Sequence, residues 1–544
     1  MKDLQPWLKH YDAGVPPHLE YPDFTIQDFL VTQAVENSGR MALICGHKTI
    51  SYAELLSSSR NFAEHLVQMG LIPGDRVGIC LPNSIEFVIS FFGTLMAGGV
   101  VAAMNPFYPL PEWQYQTKIA SPRILIGLKN RADELFELKS KSGCEHLILV
   151  DIKTDQQFFP SVYEPVVFIP FEKWTNNPEV PVKLPLVHAL SPAVLQFSGG
   201  TTGLPKAALA LHCNVVANIV QFSKWLTPLQ KGKEVFLTAI PLYHVYGMVI
   251  GLNVGIAMGA AIVLAPDARN LDEMLNLIQE HKVTVFPGVP SIYNAINHHP
   301  KALAGEVDLS SIKACISGSA PLLPETRIQF EKLTGGKLVE GYGLSEAPTA
   351  THCNPIQGEN RNGSIGLPLP DVECRIVDLE DNSKEVAPGE SGQLLIRSPQ
   401  VMLGYFGSLE ETSLVMKEDW LCTGDIARMD EDGYFYIVGR LKELIKVNGM
   451  QVWPAEVEEV LVRHHKISEA AVAGVPDENT GEAVKAWVVM RDHAPLDQKD
   501  VQLFCRSSLA GYKIPKEIVA VEALPRSPLG KVLRRELVKM YDEK

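Results

Sequence analysis

The sequence predicts an α/β protein with mostly parallel sheets over roughly its first 400 residues, followed by a separate, smaller α+β unit. Three observations predict it. Short apolar runs such as RVGICLP, VVAAMNP, RILIGL, AVLQFS, VTVFPGVP and KACISGSAPL alternate with longer amphipathic stretches, the pattern of strands separated by helices. Those runs are apolar throughout rather than alternating, as parallel strands covered on both faces are. Near Val438 the texture changes to short β-prone runs around an Asn448-Gly449 pair, the strongest local hairpin signal.

Taken in order, SIEFVISFFGTLMAGGVVAAMNP reads as a helix followed by a strand. AVLQF is a strand candidate, SGGTTGLPK a loop, and AALALHCNVVANIV a helix. VFLTAIP and AAIVLAP read as buried strands flanking a Gly/Ala-rich helical piece. Two stretches here, Phe87 to Met104 and Val235 to Pro266, pass the length test for a membrane span, and the second has no Asp, Glu, Lys or Arg over 32 residues. The strand-helix-strand reading accounts for both without a membrane. Past the hairpin, Pro454 suits the first position of a helix, with Glu456, Glu458 and Glu459 near its positive end and Val457, Val460 and Leu461 on one face. Strand-like EAAVAGVP and AVKAWVVM, a helix after Asp497 and a strand near KEIVAVEALP complete the unit.

Charge and composition exclude several functions. With 49 Lys plus Arg against 63 Asp plus Glu, the formal charge of −14 argues against a nucleic-acid footprint, so an anionic ligand has to be met locally. Nine scattered cysteines with no C-x-x-C pair argue for reduced thiols in a cytoplasmic protein and against zinc or disulfide frameworks. The His-His pairs at 298 to 299 and 464 to 465 lack ligand spacing, and MKDLQPWLKHYDAGVPP has no apolar signal core.

Three stretches carry chemistry. In SGGTTGLPK, Gly199, Gly200 and Gly203 let backbone amides approach a phosphate, Ser198, Thr201 and Thr202 add hydroxyls, and Lys206 adds a charge. The spacing is not that of Walker A, so a phosphate loop and a structural turn both remain readings of the residues alone. A second loop, EGYGLSEAP, offers Tyr342 as a stacking face and Glu346 as a carboxylate for Mg²⁺. A third, LCTGDIARMDEDGYFYIVGRLKELIK, sets Asp425 where it could accept from a ribose, with Arg440 fifteen residues on.

In this order, and together with KVNGMQVWPAEVE and LPRSPLGKVLRREL, these motifs resemble the adenylate-forming superfamily of acyl-CoA synthetases, nonribosomal peptide adenylation domains and beetle luciferases. The resemblance implies a large N-terminal adenylation domain, residues 1–440, of two sheet-helix subdomains plus a small β-barrel. A mobile C-terminal domain, residues 441–544, would follow a hinge near Lys442. It implies that ATP and a carboxylate give an acyl-adenylate and pyrophosphate, which CoA converts to a thioester and AMP. By position, Thr201, Thr202, Gly203 and Lys206 would serve the pyrophosphate, while Gly318, Ser319, Tyr342 and Gly343 would line the adenine side. Ser345 and Glu346 would meet phosphate and Mg²⁺, and Asp425 and Arg440 would hold the ribose. Lys531 would bridge carboxylate and α-phosphate. His244 would gate the acyl pocket, and Lys446 and Gly449 would serve the second step, Gly449 leaving room for the pantetheine arm. Ser345 stands where Thr is commoner, and Ser319 where Gly or Ala is common.

PGVPSIYNAI and GYGLSEAPTATHCNP look most similar to bacterial medium- and long-chain fatty-acid ligases. Gly251, Gly255 and Gly259 either open an apolar tunnel or mark close helix packing. The expected partners are a fatty acid, ATP and CoA, with no nucleic acid and no transmembrane span, leaving room for peripheral membrane contact. An aryl acid of the hydroxycinnamate type is the runner-up substrate. A non-catalytic acyl- or nucleotide-binding relative is a further rival, against which the intact Glu346, Asp425, Arg440 and Lys531 stand.

Overall fold

A computed structural model describes residues 5–152, 171–178, 180–198, 205–477, 479–527 and 530–542. Two large sheets dominate. The first has seven strands, five of them parallel (Pro192–Ser198, Val100–Ala103, Arg76–Cys80, Ile124–Leu128 and His146–Val150), with Lys206–Leu211 and Gly404–Tyr405 added antiparallel at one edge. The second has nine, with six parallel strands from Met41–Cys45 to Lys337–Leu344 and antiparallel strands at both edges. Helices Ile85–Met96 and His212–Trp225, and the helical stretch Gly247–Val254, share one buried cluster with strands of both sheets. Ile85–Met96 begins where the Ser84 hydroxyl accepts the Phe87 amide at 3.0 Å, and it is apolar nearly all round because both sides are covered. No helix among the described residues is long and apolar enough to cross a membrane, in keeping with the strand-helix-strand reading of the two apolar stretches.

The stretch after the glycine-rich loop differs from the expectation. KAALAL is not the start of a helix but a strand, Lys206–Leu211, hydrogen-bonded antiparallel to Pro192–Ser198 with Ser198 opposite Lys206. Alanine and leucine favour helix by propensity, and pairing to a sheet edge overrides that preference. The helix starts at His212, where the Asn214 side chain accepts the Leu211 amide at 2.9 Å. The strands on either side of the loop therefore pair with each other, and the helix begins only after the second of them.

The other two predicted loops are also strands. Tyr342 and Gly343 belong to Lys337–Leu344, which turns at Ser345 and Glu346 into Ala347–Cys353. A Cβ on Gly343 would lie 1.6 Å from the Thr349 carbonyl oxygen, so the close approach of the two strands requires glycine. Asp425 lies within Trp420–Met429, directly opposite Arg440 of Phe435–Arg440, in a separate five-stranded antiparallel sheet. Turn-rich composition concealed extended backbone in both cases, because strand pairing supplied by distant residues decides the conformation.

Gly251, Gly255 and Gly259 mark close packing rather than a tunnel. A Cβ on Gly251 would meet Thr238 at 3.0 Å, one on Gly255 would meet Ile262 at 3.1 Å, and one on Gly259 would meet Gln33 at 2.5 Å.

The final sheet is built wholly from residues after Arg440: Ile445–Val447, Met450–Val452, Ile467–Asp477, Gly481–Met490 and Glu517–Ala520. Asn448 and Gly449 both take positive φ, 51° and 77°, as a tight two-residue hairpin turn needs. Val447, Val452, Val457, Leu461, Val472 and Val484 form a core of their own beneath it. Lys442 is exposed in the short turn Leu441–Glu443 that leads into this unit.

Candidate active site

A cavity of about 960 Å³ opens between the two large sheets, the five-stranded sheet and the C-terminal unit. Its polar part is built from hairpins. Lys206 reaches it from the start of strand Lys206–Leu211, while Ser345 and Glu346 reach it from the turn between Lys337–Leu344 and Ala347–Cys353. Glu346 is held at both ends: its carbonyl accepts the Met402 amide at 2.8 Å, and its Oε1 accepts the Tyr405 hydroxyl at 2.7 Å. Thr201, Thr202 and Gly203 lie outside the described residues.

Tyr342 lines the cavity and donates its hydroxyl to Asp425 Oδ2. Burial first, and the Asp425 charge second, push this phenol well above its ordinary pKa, so it remains a neutral donor. Asp425 is only 3% exposed and forms the wall behind the cavity surface. Its Oδ1 accepts Arg440 Nε at 2.9 Å, and Arg440 itself faces the cavity. Cross-strand register sets this pair, since Asp425 and Arg440 are direct partners. Gly318 and Ser319 complete this side; a Cβ on Gly318 would press on the Tyr246 ring at 3.1 Å, and Ser319 takes a positive φ of 71°.

Part of the cavity lining is apolar, with Phe222, Val245, Tyr246, Ile250, Ile316 and Ala350. His244 stands at its edge, its Nδ1 accepting the Tyr246 amide at 3.2 Å, and burial pushes its pKa down to about 4, so the imidazole is neutral at pH 7.

From the C-terminal unit, Lys531 enters the same cavity. Its turn folds back on itself, Ser527 N–H donating to the Lys531 carbonyl at 2.8 Å and Lys531 N–H to Ser527 Oγ at 3.2 Å. Burial, then the nearby Arg440 charge, push the Lys531 ammonium down to about 8. Lys446 and Gly449 are not brought here. Both are exposed on the hairpin, outside the cavity lining.

Tyr405 and Glu411 are among the cavity residues that carry no sequence signal for the site. GYFGSLEET carries an aromatic and a carboxylate, yet a Glu in the first turn of a helix is ordinary capping chemistry. Only the pairing of Gly404–Tyr405 with Lys206–Leu211 brings them to the phosphate hairpin. The apolar wall was missed because its residues read as plain core.

A chain with this α/β body, small C-terminal unit and polar-apolar cavity belongs to the AMP-binding enzyme family, which residues 30–406 match, with residues 456–531 matching the family's AMP-binding enzyme C-terminal domain. This is the adenylate-forming class that the motifs resembled. Among relatives, a long-chain-fatty-acid–CoA ligase of Bacillus subtilis is 39% identical, covering 100% of this chain and 99% of the relative. A 4-coumarate-CoA ligase 1 of Narcissus pseudonarcissus is 32% identical, over 97% of this chain and 94% of that one. The crystal structure of ATP-bound MatB from Rhodopseudomonas palustris superposes with a TM-score of 0.84 at 28% identity, over 96% of this chain and 99% of that one, whereas its apo form gives 0.74.

Proposed function

We propose that this chain converts a medium- or long-chain fatty acid, through an acyl-adenylate, to its CoA thioester, with AMP and pyrophosphate as products. The observation that carries the reading is the meeting in one cavity of several cations, Lys206, Arg440 and Lys531 among them, with an apolar wall and a neutral His244. Joining a carboxylate to an α-phosphate brings two anions together, and preorganised positive charge offsets that repulsion and the charge that develops. In this reading Lys531 bridges the two anions, Arg440 with Asp425 holds the ribose, and Tyr342, Gly343, Gly318 and Ser319 form the adenine side. Lys206 takes the pyrophosphate together with Thr201, Thr202 and Gly203, and Ser345 a phosphate. A neutral imidazole at the mouth of the apolar wall lets a hydrocarbon chain pass without desolvating a charge.

The residues fit Mg²⁺. No group of three or more His, Cys, Asp or Glu that could hold a metal occurs among the described residues, and Mg²⁺ typically takes one or two carboxylates, waters and substrate phosphates. Glu346 is the carboxylate assigned to it, and the ion would neutralise phosphate charge. The same reading divides the chain at residues 440 and 441, with the hinge at Lys442, and assigns Lys446 and Gly449 to the CoA step. It places the protein in the cytoplasm, which the nine unpaired thiols support.

The test is pyrophosphate release across a panel of short, fatty and aryl acids. Each methylene buried on the apolar wall contributes ~0.8 kcal/mol, so kcat/KM should climb about fourfold per carbon until the pocket ends, with the optimum at roughly eight to sixteen carbons. Hydroxycinnamates outrunning every fatty acid would transfer the assignment to an aryl acid ligase.

A further inference from the structure

Two groups assigned to ATP, Lys206 on a strand and Glu346 in the turn between two others, are joined by residues that no motif singled out. Lys206 Nζ forms an ion pair with Glu411 and lies 4.9 Å from the centre of the Tyr405 ring. The hydroxyl of the same tyrosine donates to Glu346 Oε1 at 2.7 Å. All four side chains line the cavity. The joining residues are themselves fixed. Tyr405 pairs with Ala208 on the Lys206 strand, and its amide donates to Thr412 Oγ1 at 2.9 Å, tying Gly404–Tyr405 to the helix Leu409–Val415 that carries Glu411.

We propose that Glu411 and Tyr405 are positioning residues for the adenylation step: Glu411 and the ring face of Tyr405 aim the Lys206 ammonium, and the Tyr405 hydroxyl aims the Glu346 carboxylate. The inference rests on the roles given above to Lys206 and Glu346. A lysine stem has several freely rotating bonds, and its ammonium binds as a point charge without the fork that orients an arginine. A carboxylate on one side and an aromatic face on another confine it. The Lys206 and Glu411 side chains are 30% and 40% exposed, and a pair that accessible to water is weak. A polyphosphate, with several negative charges, therefore takes Lys206 over from Glu411 at little cost. Tyr405 meanwhile leaves its ring under the lysine and its hydroxyl on Glu346, so the two ATP-facing groups keep one spacing.

The experiment measures the equilibrium Kd for MgATP, then KM for ATP, KM for fatty acid and kcat, in Glu411→Gln, Glu411→Asp, Lys206→Ala and the Lys206→Ala/Glu411→Gln double variant. Glu411→Gln should weaken ATP up to about fivefold in both Kd and KM, the size an exposed charge pair supports. Fatty-acid KM should stay within about twofold, Glu411→Asp should recover part of the loss, and Glu411→Gln should add nothing once Lys206 is gone. Tyr405→Phe should raise the Mg²⁺ concentration giving half-maximal rate about threefold, as expected for one lost hydrogen bond. Unchanged ATP affinity in Glu411→Gln, or a loss that persists without Lys206, would overturn the role of Glu411. An unmoved Mg²⁺ dependence, or a drop in thermal midpoint that accounts for the loss, would overturn that of Tyr405. Wild-type protein that binds MgATP but activates no fatty acid would fail the substrate reading and leave the Kd comparison to decide this one.

Discussion

The C-terminal unit has two edges that carry lysines, and they sit in opposite environments. Lys531 faces the cavity, half-buried, with its ammonium pushed down to about 8 by desolvation and by Arg440. Lys446 stands exposed on the hairpin, its amide donating to Glu482 at 2.6 Å, beside an Asn448-Gly449 turn that is also exposed. The hairpin is regularly paired, yet none of its residues lines the cavity. In the reading proposed above, the Lys531 edge serves adenylation and the hairpin edge, beside the exposed Lys442 turn, serves the second step.

The strongest way to break this comparison is to remove the engaged lysine. Lys531→Ala should slow acyl-adenylate formation on the order of 10²-fold or more, by analogy with losing a preorganised oxyanion donor. Purified acyl-adenylate plus CoA should react at near wild-type rate if that step uses the other edge, as proposed. Equal losses in the two half-reactions would mean that Lys531 supports the fold or general binding, and that the edges do not divide the work.

The mirror experiment substitutes the idle edge. Gly449 sits at a φ of 77° with nothing within 4 Å of where a Cβ would be, so Gly449→Leu meets no obstacle in this arrangement. The left-handed backbone costs about 1–2 kcal/mol locally. Adenylation should stay within about twofold, whereas the thioester half-reaction should fall about tenfold as the side chain fills the space expected for the pantetheine arm. A larger effect on adenylation than on thioester formation would remove Gly449 from the second step.

Where the sequence was read rightly and where it was not follows the range of the interactions. The Asn448-Gly449 hairpin, Pro454 at a helix start and the buried parallel strands were legible because their signals are local: turn chemistry, capping and continuous apolar runs. KAALAL carries a helical signal, but it forms a strand through pairing with Pro192–Ser198, and Tyr342 and Asp425 lie in turn-rich sequence whose strand partners come from elsewhere in the chain. Candidate residues with a distinctive motif, such as Lys206, Glu346, Arg440 and Lys531, converge on one cavity. Tyr405 and Glu411 carry no such mark, since a tyrosine on a two-residue edge strand becomes informative only when the strand beside it is known.

The smallest effect, and the one that most sharpens the contrast between the edges, is in pH. The Lys531 ammonium titrates at about 8 in the ligand-free chain, so it is charged below that value and loses its proton as pH rises through it. If the cation is what bridges carboxylate and α-phosphate, kcat/KM for pyrophosphate release, which reports the free enzyme, should be about halved at pH 8 relative to pH 7 and fall about tenfold per unit beyond. Bound ATP and acid add negative charge beside the ammonium and favour its protonated form, so the corresponding limb in kcat should appear at higher pH. The thioester half-reaction should run the other way, because a thiolate is its nucleophile and a thiol of ordinary pKa ionises near ~8.5. Lys531→Arg replaces the titrating group by one that stays charged, at some loss of rate from the altered geometry. Single-turnover profiles from pH 6.5 to 9.5 for the two half-reactions decide the matter. An adenylation limb that survives in Lys531→Arg would assign the titration to another group and separate the depressed lysine from the chemistry.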